Sequence, residues 1–155
     1  MTKFTIKNLN LFLAFKLPSA YFSGIRVHAI SEHNAVARVK HRWINQNPFK
    51  SLYWATQGMA AELVTGLLLM KKVKESNCNI STLVVEQHGV FSKKATGKIT
   101  FSCNEGALVD QALKDAISSG EGQIIVLKAA GIDEENDLVS SFEFTWSIKL
   151  KTPRL

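Results

Sequence analysis

The stretch SLYWATQGMAAELVTGLLLMKKV, residues 51–73, decides the fold. It carries Leu52, Tyr53, Trp54, Met59, Leu63, Val64, Leu67, Leu68, Leu69 and Met70, which makes it too long for a strand and apolar on most sides. A helix of that kind cannot stand in water and must be wrapped by other structure. Pro48 is tolerated in a first turn, and either Asn47 or Ser51 can cap the start. Lys71, Lys72 and Lys74 lie where cations favour a helix C-terminal end.

Working outward from this helix, Leu9, Phe12, Leu13 and Leu17 recur at helical spacing over residues 8–17, until Pro18 stops the pattern. After Gly24 the alternation of Ile25, Val27 and Ala29, the turn-prone Glu32, His33 and Asn34, and a second alternating run over residues 35–43 predict an antiparallel hairpin. Beyond Asn77 strands are predicted over residues 83–88, 95–103, 123–129 and 139–151. The last is the clearest, with Phe142, Phe144, Trp146, Ile148 and Leu150 on one face and Glu143, Thr145, Ser147, Lys149 and Lys151 on the other. A short helix over residues 107–118 ends at Gly120, and Gly131, Asp133 and the acidic run to Asp137 make the final turn. The order predicts an α+β fold in which a curved antiparallel sheet wraps one long central helix, preceded by a short N-terminal helix. A helix this apolar inside so modest a sheet also suggests that a sheet face or edge is finished by a second subunit.

Length and composition bound the rest. The 155 residues make one domain, 1–155, and 46% hydrophobic with 21% charged residues exclude disordered, collagen-like and coiled-coil classes. A net charge of +6 favours anionic partners. Two cysteines, Cys78 and Cys103, build no disulfide framework, which fits a reducing cytoplasm. Lys3 and Lys7 before the apolar residues 9–15 imitate a secretory signal, but Lys16 and Pro18 interrupt it and no small-residue cleavage site follows. No segment is apolar enough to span a membrane. His28, His33, His41 and His88 share no local metal-binding spacing, so no metal is expected. Nucleic-acid binding is disfavoured because no aromatic-rich basic strand or recognition helix is present.

The leading helix with Leu17-Pro18, the Gly24-Ile25-Arg26-Val27 strand, the long helix and the Gly131-Ile132-Asp133 turn into the last strand together resemble the hotdog-fold thioesterase superfamily. Within it the chain is similar to the phenylacetic-acid-degradation (PaaI-like) thioesterases. The resemblance implies hydrolysis of acyl-CoA thioesters, without a metal or other cofactor, in sites built between the subunits of a homodimer or a dimer of dimers. The family's His-x-Asn-x-x-Gly-x-x-His-Gly-Gly run places its asparagine on Asn47, and the carboxylate that follows it on Glu62. Elsewhere the chain departs: Asn45 and Tyr53 stand for the two histidines, Lys50 for the first glycine, and Trp54 and Ala55 for the paired glycines.

Thioester cleavage needs an activated water or a nucleophile, and donors aimed at the oxyanion. Glu62 is the first candidate for the carboxylate. At about 100° per residue, Ser51, Gly58, Glu62, Thr65 and Leu69 fall in one narrow stripe flanked by Ala55 and Gly66. A carboxylate among small residues has open space before it. The competing reading is that the glycines permit close packing and Glu62 is solvated or ion-paired. First-turn amides around Ser51, Tyr53 and Trp54 can donate to an oxyanion. Asn47 can orient substrate or water, or simply form the turn. Tyr53 can donate its hydroxyl, or line the core. Lys71, Lys72, Lys74, Lys93 and Lys94 can attract coenzyme A phosphates, or form a solvated face. Ser51, Cys78 and Cys103 lack nucleophile signatures. The expectation is therefore an acyl-CoA thioesterase with Glu62 and Asn47 catalytic and Ser51, Tyr53, Trp54, Gly58 and Thr65 binding substrate, carried by coenzyme A or an acyl carrier. The alternative is a non-catalytic acyl-binding or assembly protein on the same scaffold.

Overall fold

A computed structural model describes residues 4–151. The clean alternation at the C-terminal end becomes β6 (Leu138–Leu150), which buries Phe142, Phe144, Trp146 and Ile148 on its inner face. The elements run α1 (Ile6–Lys16), α2 (Pro18–Phe22), β1 (Arg26–Ile30), β2 (Ala35–Lys40), a 3-10 turn (Trp43–Asn45), α3 (Trp54–Ser76), β3 (Ile80–Phe91), β4 (Lys98–Cys103), α4 (Gly106–Ser119), β5 (Gln123–Ile132) and β6. The six strands form one antiparallel sheet in the order β1-β2-β4-β5-β6-β3, and its concave face holds α3. This is the hotdog plan that the resemblance implied.

Helix α3 spans 23 residues, about 35 Å at 1.5 Å per residue. Ala60, Ala61, Val64, Leu67 and Leu68 are completely buried against the sheet and α4. The helix starts three residues later than its apolar content suggested, and neither Asn47 nor Ser51 caps it. Its N-cap is Tyr53, which provides no side-chain acceptor, because Asn47 and Ser51 are used in the preceding turn. At the other end Asn77 adopts the left-handed conformation, φ 53°, that an asparagine tolerates, and so stops the helix. Pro18 does more than stop α1: it opens α2 at the first position, where its missing N–H costs nothing.

Lys71 and Lys72 are buried, not solvated. Lys71 Nζ binds Glu32 and, at 2.6 Å, Glu75, while Lys72 Nζ binds Glu32 at 3.1 Å and Asp110 at 2.8 Å. This cluster ties the β1–β2 turn to α3 and α4. Backbone contact tightens it, since Gly106 donates its N–H to His33 O at 3.0 Å and a Cβ on Gly106 would lie 2.3 Å from Glu32 O.

The two edges of the sheet are finished differently. On β1, Asn10 of α1 donates Nδ2 to Val27 O at 3.0 Å and accepts Val27 N–H through Oδ1 at 2.9 Å. Strand β3 is bonded only to β6, and no described strand pairs with its outer edge. Among the described residues no helix is long and apolar enough to cross a membrane.

Candidate active site

The sheet and α4, with α2, cover most of α3 but leave one seam. Ala55, Gly58, Met59, Glu62, Gly66, Met70 and Val73 are the residues of the helix that run along it without being buried. All but Glu62 are apolar or glycine. The Glu62 carboxyl has no hydrogen-bond or ion-pair partner among the described residues. Burial raises its pKa above the usual carboxylate value, because the charged form has lost water without gaining a counter-charge. Gly66 supplies the room beside it. A Cβ there would sit 3.4 Å from Glu62 Oε1 and 3.6 Å from the Trp146 ring.

Gly58 and Glu62 lie on the seam as the spacing suggested, whereas Thr65 and Leu69 turn to the packed flank. Thr65 is fully buried: its hydroxyl donates to Glu62 O at 2.8 Å and accepts Trp146 Nε1–H at 3.1 Å. That closes it off from any ligand in this chain and makes it the strut between the Glu62 turn and β6. The seam is rotated toward Gly66 because Trp146 fills the Thr65 side.

A second feature lies at the N-terminal end of α3. A cleft of about 510 Å³ is bounded by Asn47, Ser51, Tyr53, Trp54, Phe91 and Lys94. Asn47 shapes its floor. Its Oδ1 accepts N–H from Phe49 at 2.9 Å and from Ser51 at 3.2 Å, and its Nδ2 donates to Ser51 Oγ at 3.0 Å. Lys50, where the family motif has glycine, adopts a left-handed φ of 61° to complete this turn. Tyr53 and Trp54 are half exposed at the rim. With no side chain capping α3, the amides of its first turn point toward this end.

Gln57 and Phe91 are parts that the sequence reading did not single out, and Asn45 and Trp146 have structural roles that it did not give them. Asn45 is buried and accepts Arg42 N–H through Oδ1 at 2.8 Å. Its Nδ2 donates to Ser23 O at 2.8 Å and to Lys40 O at 2.9 Å, so it staples the loop before α3 to α2 and β2. Gln57 accepts from Ser140 Oγ at 2.8 Å and donates to Leu52 O at 3.1 Å, fixing the first turn against β6. A buried glutamine one turn into an apolar helix is the signal that could have found it.

The basic residues do not form one patch. Lys71 and Lys72 are consumed by the latch, and Lys93 Nζ sits among Asp133, Glu135 and Asp137 at 2.7, 3.0 and 2.7 Å. Those three carboxylates converge closely enough to hold a cation, and the lysine supplies one. Lys94, at the cleft rim, donates to Phe49 O at 3.2 Å. Cys103 is buried and its thiol is pushed up to about 11 by that burial, which keeps it in the thiol form at neutral pH.

The cleft and the carboxylate are not one pocket within the chain. Trp54 and Glu62 are eight residues apart on one helix, about 12 Å along its axis. Within one chain, donors and base therefore cannot meet on a single carbonyl.

A family model described as "Domain of unknown function (DUF4442)" matches residues 7–148. No match was found among curated proteins. Among solved structures, a Pseudomonas aeruginosa protein described as a probable thioesterase superposes with a TM-score of 0.80 at 19% identity, covering 94% of this chain and 96% of that one. A thioesterase of Haemophilus influenzae gives a TM-score of 0.72 at 19% identity, covering 99% and 97%. A Staphylococcus aureus protein described as a thioesterase enzyme gives 0.61 at 14% identity, covering 90% and 98%, in a form with one glutamine replaced by alanine.

Proposed function

From the premise that this chain belongs to the DUF4442 family and has the fold of the hotdog thioesterases, we propose that it hydrolyses acyl thioesters in a site shared by two copies. The observation that carries the reading is Glu62: a half-buried, unpartnered carboxylate on an uncovered apolar seam, with a raised pKa. Structural carboxylates are paired or well solvated, and this one has no described partner and has lost much of its water. The second copy follows from the separation along α3. A partner related by a two-fold axis, joined along the open β3 edge, brings its own helix start toward the first copy's Glu62.

In that site Glu62 takes a proton from water as the water oxygen bonds to the thioester carbonyl carbon. The first-turn amides at the partner's helix start hold the oxyanion. When the C–S bond breaks, the thiolate leaves and takes the proton back from Glu62, giving a carboxylic acid and a free thiol. Asn47 acts as a positioning residue that holds the turn, with Ser51, in front of the amides. Tyr53 and Trp54 border the acyl carrier's path, Gly58 keeps the seam open, and Thr65 serves through its bond to the Glu62 carbonyl. In the Staphylococcus aureus relative a glutamine and a glutamate were each replaced by alanine, at the same separation as Asn47 and Glu62 here. Coenzyme A or an acyl carrier thioester is the substrate, and no cofactor is required.

The exposed Trp54, in place of a glycine, supports a second reading in which the scaffold binds acyl thioesters without cleaving them. A panel of acyl-CoAs separates the two. We expect Glu62→Gln to lower kcat/KM by about a hundredfold or more, as loss of a general base does, with KM little changed. Equal hydrolysis by wild type and Glu62→Gln removes Glu62 from the chemistry. Binding with no hydrolysis by wild type establishes the binder.

A further inference from the structure

We propose that the cavity beneath α1 receives the substrate's acyl chain and that the substrates are unbranched aliphatic thioesters of medium length. This rests on the thioesterase reading and adds the substrate class to it. The cavity has a volume of about 360 Å³ and lies between α1, the C-terminal half of α3 and the first residues of β3. Phe4, Leu9, Phe12, Met70, Val73 and Thr82 form its walls.

Its connection to the carboxylate is written in the helix. Glu62, Gly66 and Met70 follow one another at intervals of four, and Val73 continues the same seam, so two of the three α3 residues that line the cavity, Met70 and Val73, lie on the seam that carries Glu62, and Lys74 is the third. Between Glu62 and Met70, Gly66 carries no side chain, and a Cβ there would touch Glu62 Oε1 at 3.4 Å and the Trp146 ring at 3.6 Å, so the trough assigned to the chain runs over the glycine between those two groups. Met70 and Lys74, the first and last α3 residues of the cavity's lining, stand about 12 and 18 Å beyond Glu62 along the axis, so an extended chain of roughly ten carbons reaches the near wall and one of roughly fourteen reaches the far one. At the outer end the Lys74 ammonium lies over the Phe4 ring at 5.2 Å and closes the cavity with charge. A bare methyl terminus fits short of that point. A longer chain would have to push against the cation, and a branched one would meet Trp146 and the Met70 side chain in the trough.

The test compares hydrolysis of saturated acyl-CoAs from butyryl to palmitoyl by wild type, Met70→Trp and Phe12→Ala. Each buried methylene is worth about fourfold in selectivity. Wild type should favour the chains from decanoyl to myristoyl. Met70→Trp, on a partly exposed residue that tolerates size, should lower the ratio of decanoyl to butyryl kcat/KM by about tenfold or more, and Phe12→Ala should move the optimum to longer chains. An unchanged profile in both variants overturns the proposal. If wild type hydrolyses none of these thioesters, the thioesterase reading fails by itself, and binding of dansyl-undecanoic acid decides the cavity. Saturable binding that Met70→Trp weakens about tenfold supports it, and no saturable binding overturns it.

Discussion

The two edges of the sheet differ in how far the described chain itself completes them. Strand β1 has five residues, is kinked where its register shifts between Val27 and Ala29, and has its outward backbone taken by one asparagine side chain. Strand β3 has twelve residues, and its apolar side chains Leu83, Val85 and Phe91 are half exposed or more. A side-chain amide carries the same donor and acceptor as a peptide, so Asn10 serves β1 as a strand of one residue. Such a cap can be supplied from within the chain only where the edge is short. An edge of twelve residues needs a strand, and a strand can come from a second copy. The seam on α3 lies on the same side of the molecule as Thr82 and Phe91 of β3, because both ends of that strand border the cavities at the two ends of the helix. The open edge and the site proposed to be shared are therefore neighbours.

The largest expected effect comes from closing the open edge. Val85 falls at the irregularity between Val84 and Glu86 and has no registered partner on β6. Val85→Pro removes an N–H and adds a ring that obstructs a neighbouring strand, at small cost to the β3–β6 ladder. Analytical ultracentrifugation should show wild type as a dimer and the variant as a monomer. Hydrolysis should fall with it by about a hundredfold or more, since the oxyanion donors leave with the partner. A fully active monomer would end the shared-site account.

A smaller effect is expected at the capped edge. Asn10→Ala leaves Val27 N–H and C=O without their partners in a part-buried position, which should cost about 1–3 kcal/mol in urea unfolding. The dimer should persist, because β1 takes no part in it. If Asn10→Ala instead changes the oligomeric state at unchanged stability, the capped edge is the interface and the assignment of the two edges is reversed.

Legibility followed the range of the forces involved. The β6 alternation and the apolar length of α3 are local patterns, and both became elements nearly as spaced. What the seam faces was not local. A helix apolar nearly all round shows no preferred side, so the spacing placed Thr65 in the stripe and Gly66 on its flank, whereas the structure buries Thr65 and leaves Gly66 on the seam beside Glu62. Only Trp146, eighty-one positions from Thr65, decides which flank is packed. The helix start moved because Asn47 and Ser51 suit both a cap and a turn, and the turn also needed Asn45, whose bonds reach back to Ser23. Lys71 and Lys72 looked like a solvated helix end because their partners Glu32 and Asp110 lie on other elements.

The smallest expected effect concerns that latch, which holds the β1–β2 turn and with it the capped edge. Hydrogen bonds from Lys71 and then Lys72 hold the Glu32 carboxyl below its ordinary pKa of 4.5. A carboxylate depressed in the folded state stabilises above its unfolded pKa and loses that contribution as pH falls through the folded value. Glu32→Gln should therefore melt slightly lower than wild type at neutral pH, and the difference should vanish as pH drops from about 4.5 downward. Glu62 has the opposite sign. Its raised carboxyl weakens the fold when ionised, so Glu62→Gln should melt slightly higher at neutral pH and lose that advantage as acid protonates the wild-type group. Melting temperatures of the two variants over an acid pH series should then move toward wild type from opposite sides. If both start below it, Glu62 has a stabilising partner and is a structural carboxylate.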